Sequence, residues 1–146
     1  MPADKQLAQA NLAIARYPMD DAAMASFVER LDEINALAES SNGFVWRMQG
    51  EEMDAEAQAV FDEPRALFNL TVWQDLECLQ NYVYRSAHGD VLRQRSQWFE
   101  KPARAPFVLW WIDAGHLPTI TEAHERFVKL WEDGPGESAF TFRQSY

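Results

Sequence analysis

The side chains best suited to chemistry crowd into one stretch, residues 69–88, reading NLTVWQDLECLQNYVYRSAH. Asn69, Thr71 and Trp73 share one face of a strand pattern, with Leu70 and Val72 on the other. An asparagine amide there can donate to a substrate oxygen as charge develops on it; otherwise a buried amide needs a structural partner. His88 follows Tyr84, Arg85 and Ser86 at the end of a helix pattern, where the helix dipole favours the charged imidazole. It suits a general base, a metal or haem ligand, or a structural helix end. Trp73 and Trp111 read as walls of an aromatic pocket or as core and interface residues. Arg47 alternates away from Phe44, Trp46 and Met48. It suits a bidentate grip on a ligand carboxylate, or an ion pair with the acidic stretch that follows it. His116 sits on a Gly-flanked turn behind a tryptophan-rich strand, within reach of a pocket mouth. Tyr84 completes the candidate binding set.

Several familiar chemistries have no signature here. There is no Gly-rich phosphate loop, no G-x-S-x-G elbow and no H-E-x-x-H zinc pattern. The single cysteine, Cys78, lies among apolar helix positions, which reads as core packing and rules out an intrachain disulfide. The net charge of -10 opposes nucleic acid and anionic membrane surfaces, which both require Lys and Arg. No apolar run approaches the length of a membrane span, and no signal-peptide pattern opens the chain, so a cytoplasmic location is expected.

The elements that must position these residues follow in order. At 146 residues the chain reads as one domain. Residues 5–16 alternate as a strand that Tyr17-Pro18 breaks. Asp20 is placed to cap a helix whose stripe is Met24, Phe27, Val28, Leu31, Ile34 and Ala38, and Asn42-Gly43 ends it. Residues 44–49 form a strand. Residues 50–64 form an acidic connection with a short helix near 55–60, read as a solvated loop or a lid. Residues 65–73 form a strand, Asp75 caps the next helix, and 89–99 reads as another helix. Residues 107–113, FVLWWID, are apolar on both faces. A strand covered on one side alternates with polar residues, so both faces need cover. Helices supply one cover, and the sheet of a second copy supplies the other, which predicts a homodimer. Thr119 and Glu122 have capping-box spacing before a last helix, and residues 140–143 form a short final strand.

The order predicts an α+β fold, ferredoxin-like βαββαβ with an inserted helix and a C-terminal helix–strand extension. Trp73-x-Asp75-Leu76-Glu77-x-Leu79 followed by Ser86-x-His88 resembles the dimeric α/β-barrel superfamily, which includes the antibiotic-biosynthesis monooxygenases. From Leu7 to Phe142 the chain more closely resembles a bacterial family of that superfamily with no assigned function (domain of unknown function 3291). The shared look is FVWR at 44–47, YRSAH at 84–88, and LWW followed by AGH-x-PT across 109–119. The resemblance implies a dimeric α/β barrel in which Asn69 and Trp73 line a cavity and His88 matches a histidine after the second helix. It implies a small apolar or aromatic ligand and cofactor-independent, monooxygenase-like chemistry on an aromatic or polyketide-like ring. The superfamily also contains haem-handling proteins, for which His88 or His116 would be the axial ligand, and members without catalysis. A non-catalytic dimeric module is therefore a further expectation.

Overall fold

A computed structural model describes residues 4–18, 20–50, 53–85 and 96–143. Its centre is β1 (Lys5–Ile14), which pairs antiparallel with β3 (Ala66–Trp73) on one side and β4 (Phe107–Asp113) on the other. A short β2 (Phe44–Arg47) pairs with β3, giving a four-stranded sheet in the order β2-β3-β1-β4. This antiparallel order, with a helical crossover between the first two strands and another between the last two, is the ferredoxin-like arrangement expected from the element sequence.

The sheet has two buried faces. On the first, Leu7, Trp73 and Leu109 lie under α1 (Ala25–Ser40) and α3 (Leu76–Arg85). On the second, Ala8, Ala10, Leu70, Val72, Val108 and Trp110 lie under α2 (Met53–Phe61) and α4 (Ile120–Asp133). Small residues in the middle strand make room for large ones beside it: Ala8 stands between Val72 and Trp110, and Ala10 between Leu70 and Val108. Phe127 of α4 and Phe61 of α2 meet edge to face at 5.5 Å above this floor. The doubly apolar β4 is thus covered on both sides by its own chain. A second copy is therefore not needed to cover β4, because α2 and α4 cover the face that the sequence reading left open.

Local signals account for most of the element ends. Asp21, not the expected Asp20, accepts from the Ala23 N–H at 2.8 Å and starts a 3₁₀ turn (Ala22–Met24) that runs into α1. Val28 is turned to solvent, so the buried stripe of α1 is narrower than the sequence pattern. Gly43, just past α1, has φ +85°. A Cβ there would collide with Cys78 Sγ, so glycine is required both by the turn and by the close approach of α3. Asp75 caps α3 as expected, its carboxylate accepting from the Cys78 N–H at 2.9 Å. Burial pushes the Cys78 thiol up to about 11, in keeping with a packing role. The short helix expected near 55–60 is present as α2, running from Met53 to Phe61. Of the helix expected over 89–99, the part up to residue 95 lies outside the described residues. Residues 96–98 are helical, and Trp98 and Phe99 pack against Phe27. The expected last strand is reduced to a bridge in which Phe140 and Leu109 exchange backbone hydrogen bonds of 2.8 and 2.9 Å.

If α4 is integral cover for the sheet, truncating its central anchor is costly. Phe127→Ala should lower the unfolding free energy by about 3–5 kcal/mol in urea titrations. A loss below about 1 kcal/mol would mean that α4 is only loosely attached.

Candidate functional site

The register of β1 on β3 sets the floor of the site. Gln9 stands opposite Thr71, and Asn11 opposite Asn69. All four face α1 and α3, the side on which Leu7 and Trp73 are buried. Four polar side chains in adjacent positions of two central strands are unusual on a face that is otherwise apolar.

Two adjoining hollows lie between this floor and the helices. The first, about 270 Å³, has Phe27, Leu31 and Ile34 of α1 as its apolar wall and Arg47 and Asp54 at its rim. The second, about 280 Å³, is walled by Leu79, Tyr82 and Val83 of α3, with Phe107 and Phe142 closing the far side. Asn11, Asn69, Thr71 and Tyr82 belong to both. The hollows are therefore two lobes meeting over the polar floor.

Behind the floor, hydrogen bonds hold the back of the site. The Trp73 indole Nε1–H donates to Thr71 Oγ1 at 2.9 Å, and the Thr71 hydroxyl donates to Gln9 Oε1 at 2.8 Å. Tyr82 stacks on Trp73 with centroids 5.2 Å apart and donates its hydroxyl to the Ile34 carbonyl at 3.2 Å, tying α3 to α1. Burial raises the Tyr82 phenol to about 12. In contrast, the Asn11 and Asn69 side chains have no hydrogen-bond partner among the described residues. Arg47 Nε is buried without one, its ion pair with Glu39 Oε2 being longer than a hydrogen bond at 3.7 Å. Asp54 accepts from the Phe68 N–H at 3.0 Å, which satisfies the edge of β3 where β2 has already ended. Burial raises the Asp54 carboxyl above its usual value, and that hydrogen bond opposes the rise.

The candidate residues separate accordingly. Asn69 sits where the two lobes meet, Arg47 lines the first and Tyr84 lines the second. Trp73 is not a wall: it is fully buried behind Thr71 and Tyr82 and reaches the lobes only through them. Trp111 shares the sheet face but packs against Phe140, at 6.1 Å, and lines neither lobe. His116 also lies away from the lobes. Glu122 takes its Nε2 at 2.7 Å while accepting the Trp110 indole N–H on its other oxygen at 2.9 Å, so His116 is fastened to the start of α4. His88 lies outside the described residues. Gln9, Asn11, Thr71, Asp54 and Tyr82 were not singled out from the sequence. The polar alternation of Gln9 and Asn11 was visible, but its meaning depends on which residues of β3 stand opposite. Among the described residues, no group of three or more His, Cys, Asp or Glu side chains gathers to hold a metal ion. Nor is any helix there long and apolar enough to cross a membrane.

A sequence-family model described as a domain of unknown function (DUF3291) matches residues 6–146. The chain belongs to this family. No curated protein matches. Among solved structures, the chain is similar to NE2512, a protein of unknown function from Nitrosomonas europaea, at TM-score 0.49 and 13% identity, over 81% of this chain and 99% of that one. It is also similar to SnoaB, a cofactor-independent oxygenase from Streptomyces nogalater. The match to an asparagine-to-alanine variant of SnoaB has TM-score 0.48 and 12% identity, over 79% of this chain and 97% of that one. A second SnoaB structure matches at TM-score 0.44 and 13% identity, with the same coverage. DUF3291 is the family that the sequence resemblance named, and the ferredoxin-like sheet is the fold expected from the element order.

The raised Tyr82 pKa has a signed consequence. Below pH 10 the phenol is protonated in both folded and unfolded chains and contributes no pH dependence. Between its ordinary value of 10.0 and about 12 the unfolded chain loses that proton first, so stability falls as pH rises. Urea titrations across this window should give a shallower decline for Tyr82→Phe than for the wild type. Equal slopes would place Tyr82 in water.

Proposed function

We propose that the two-lobed cavity binds a small, largely apolar organic molecule, and that the protein carries out monooxygenase-like chemistry on it without a cofactor. The substrate is an aromatic or polyketide-like ring, electron-rich and activated by deprotonation. The observation that carries the reading is the pair Asn11 and Asn69, half-buried and facing each other across β1 and β3 on the floor of both hollows, with no side-chain hydrogen bond among the described residues. Two half-buried amides on an otherwise apolar strand face offer donors and acceptors that a bound molecule can take up.

Each group has a role in this reading. The Asn69 amide donates to the ring oxygen on which negative charge accumulates as the proton leaves, and Asn11 supports it from the opposite strand. Arg47, whose buried Nε at the first lobe makes no hydrogen bond and is ion-paired to Glu39 only at 3.7 Å, holds a second oxygen. His88 serves as base or orienter, as the resemblance implies. Asp54, raised by burial at the rim of the same lobe, is a second proton acceptor within reach. Trp73 shapes the cavity from behind by holding Thr71 and Tyr82, and Trp111 supports the sheet under Phe140. The homodimer implied by the resemblance is retained as part of the proposal, with a contact surface other than a bare sheet face.

The test is oxygen consumption with a panel of electron-rich phenols and enolisable aromatic ketones. A substrate turned over by the wild type should be turned over about 100-fold more slowly by Asn69→Ala, with the circular dichroism spectrum unchanged. A fully active Asn69→Ala would remove Asn69 from the mechanism, and no oxygen uptake with any compound would count against the oxygenase assignment.

A further inference from the structure

The chain Trp73, Thr71, Gln9 has a fixed polarity. An indole N–H can only donate, and it donates to Thr71 Oγ1. The threonine hydroxyl has one proton, and that proton goes to Gln9 Oε1. Gln9 must therefore present its carbonyl oxygen to Thr71 and turn its NH2 group away. Flipping the amide would leave the Thr71 proton without an acceptor at a residue that is only 4% exposed. Gln9 itself is 7% exposed and lines the second lobe. Its NH2 has no partner among the described residues. The back of the site thus fixes a hydrogen-bond donor at its front, with the fully buried Trp73 as anchor.

We propose that Gln9 is a ligand-positioning residue whose NH2 donates to an acceptor oxygen, a ring carbonyl or phenolate, of the molecule in the second lobe. This rests on the small-molecule reading above and adds the ligand's polar pattern. Gln9 and Asn11 are two residues apart on one strand face, so the acceptors they meet stand roughly 7 Å apart. The ligand is therefore a flat apolar body with two acceptor oxygens at that spacing, one over Gln9 and one over the Asn11–Asn69 pair. The chain's net charge of -10 favours neutral carbonyl oxygens over a polyanion.

The probes are fluorene and 9-fluorenone, which have the same ring outline and differ by one carbonyl oxygen. Their affinities are read by quenching of tryptophan emission, and the carbonyl stretch of bound fluorenone by infrared difference spectroscopy. The wild type should bind fluorenone roughly 3- to 10-fold more tightly than fluorene, the range of one neutral hydrogen bond. The bound carbonyl stretch should fall to lower frequency. Gln9→Met should bring the two affinities together and remove the frequency shift. Thr71→Val frees the Gln9 amide to rotate and should reduce both effects, which keeps the test open if Gln9→Met does not fold. Equal affinities in the wild type, or a preference and shift unchanged in folded Gln9→Met or Thr71→Val, would overturn the role of Gln9 and leave the cavity reading standing. Binding of neither probe by the folded wild type would overturn the cavity reading itself.

Discussion

The site depends on the register between β1 and β3. Eight consecutive pairs, from Leu7 with Trp73 to Ile14 with Ala66, run without a bulge. That register places Gln9 beside Thr71 and Asn11 beside Asn69, and turns all four toward α1 and α3. Side chains alternate with period two, so a slip of one residue would send the polar floor under α2 and α4 and bring Ala8 and Ala10 to the cavity. The apolar packing of the second face opposes such a slip. The observed register sets Ala8 between Val72 and Trp110, and a larger residue in its place would overpack the buried cluster that Trp110 shares with Phe127. The α2 and α4 face thereby locks the geometry that the α1 and α3 face uses.

This division of labour explains why a ferredoxin-like sheet with both faces covered retains a hollow. The second face is filled: Trp110, Phe127, Leu130 and Ile120 are buried against small alanines. The first face is filled at its two ends. Leu7, Trp73 and Leu109 pack with Phe140 at one end, and Ala15, Met24, Trp98 and Phe99 gather with Phe27 at the other. Between them the floor is polar, and the helices stand off it. The residues that set the electrostatics are held by well-packed aromatics, so donors reach the cavity from a stiff support.

Much of the fold was legible because hydrophobic periodicity and capping chemistry act locally. Asp75, Gly43 and Thr119 do what their types suggest at those positions. The cover of β4 was misjudged because the amphipathic pattern of α4 shows that it has a buried face without showing which sheet face it meets. For the site, Asn69 and Arg47 were recognisable as polar groups on strand faces, and both line the cavity. His116 and Trp111 were not separable from cavity residues by sequence. A histidine on a turn and a tryptophan on a strand look alike whether they meet a ligand, Glu122 or Phe140. Gln9, Asn11 and Thr71 acquire meaning only through cross-strand pairing, which a single sequence does not display. Asp54 lies in a stretch whose five other acidic side chains hid the one that meets β3.

The most direct test of the central claim is a crystal structure of the protein purified without added ligand, inspected over the β1–β3 floor. The expected result is an open hollow, or density for a flat organic molecule, with the Asn11 and Asn69 amides and the Gln9 NH2 group directed into it. A floor closed by side chains, with Asn11 and Asn69 bonded to each other and Gln9 turned onto protein, would contradict it.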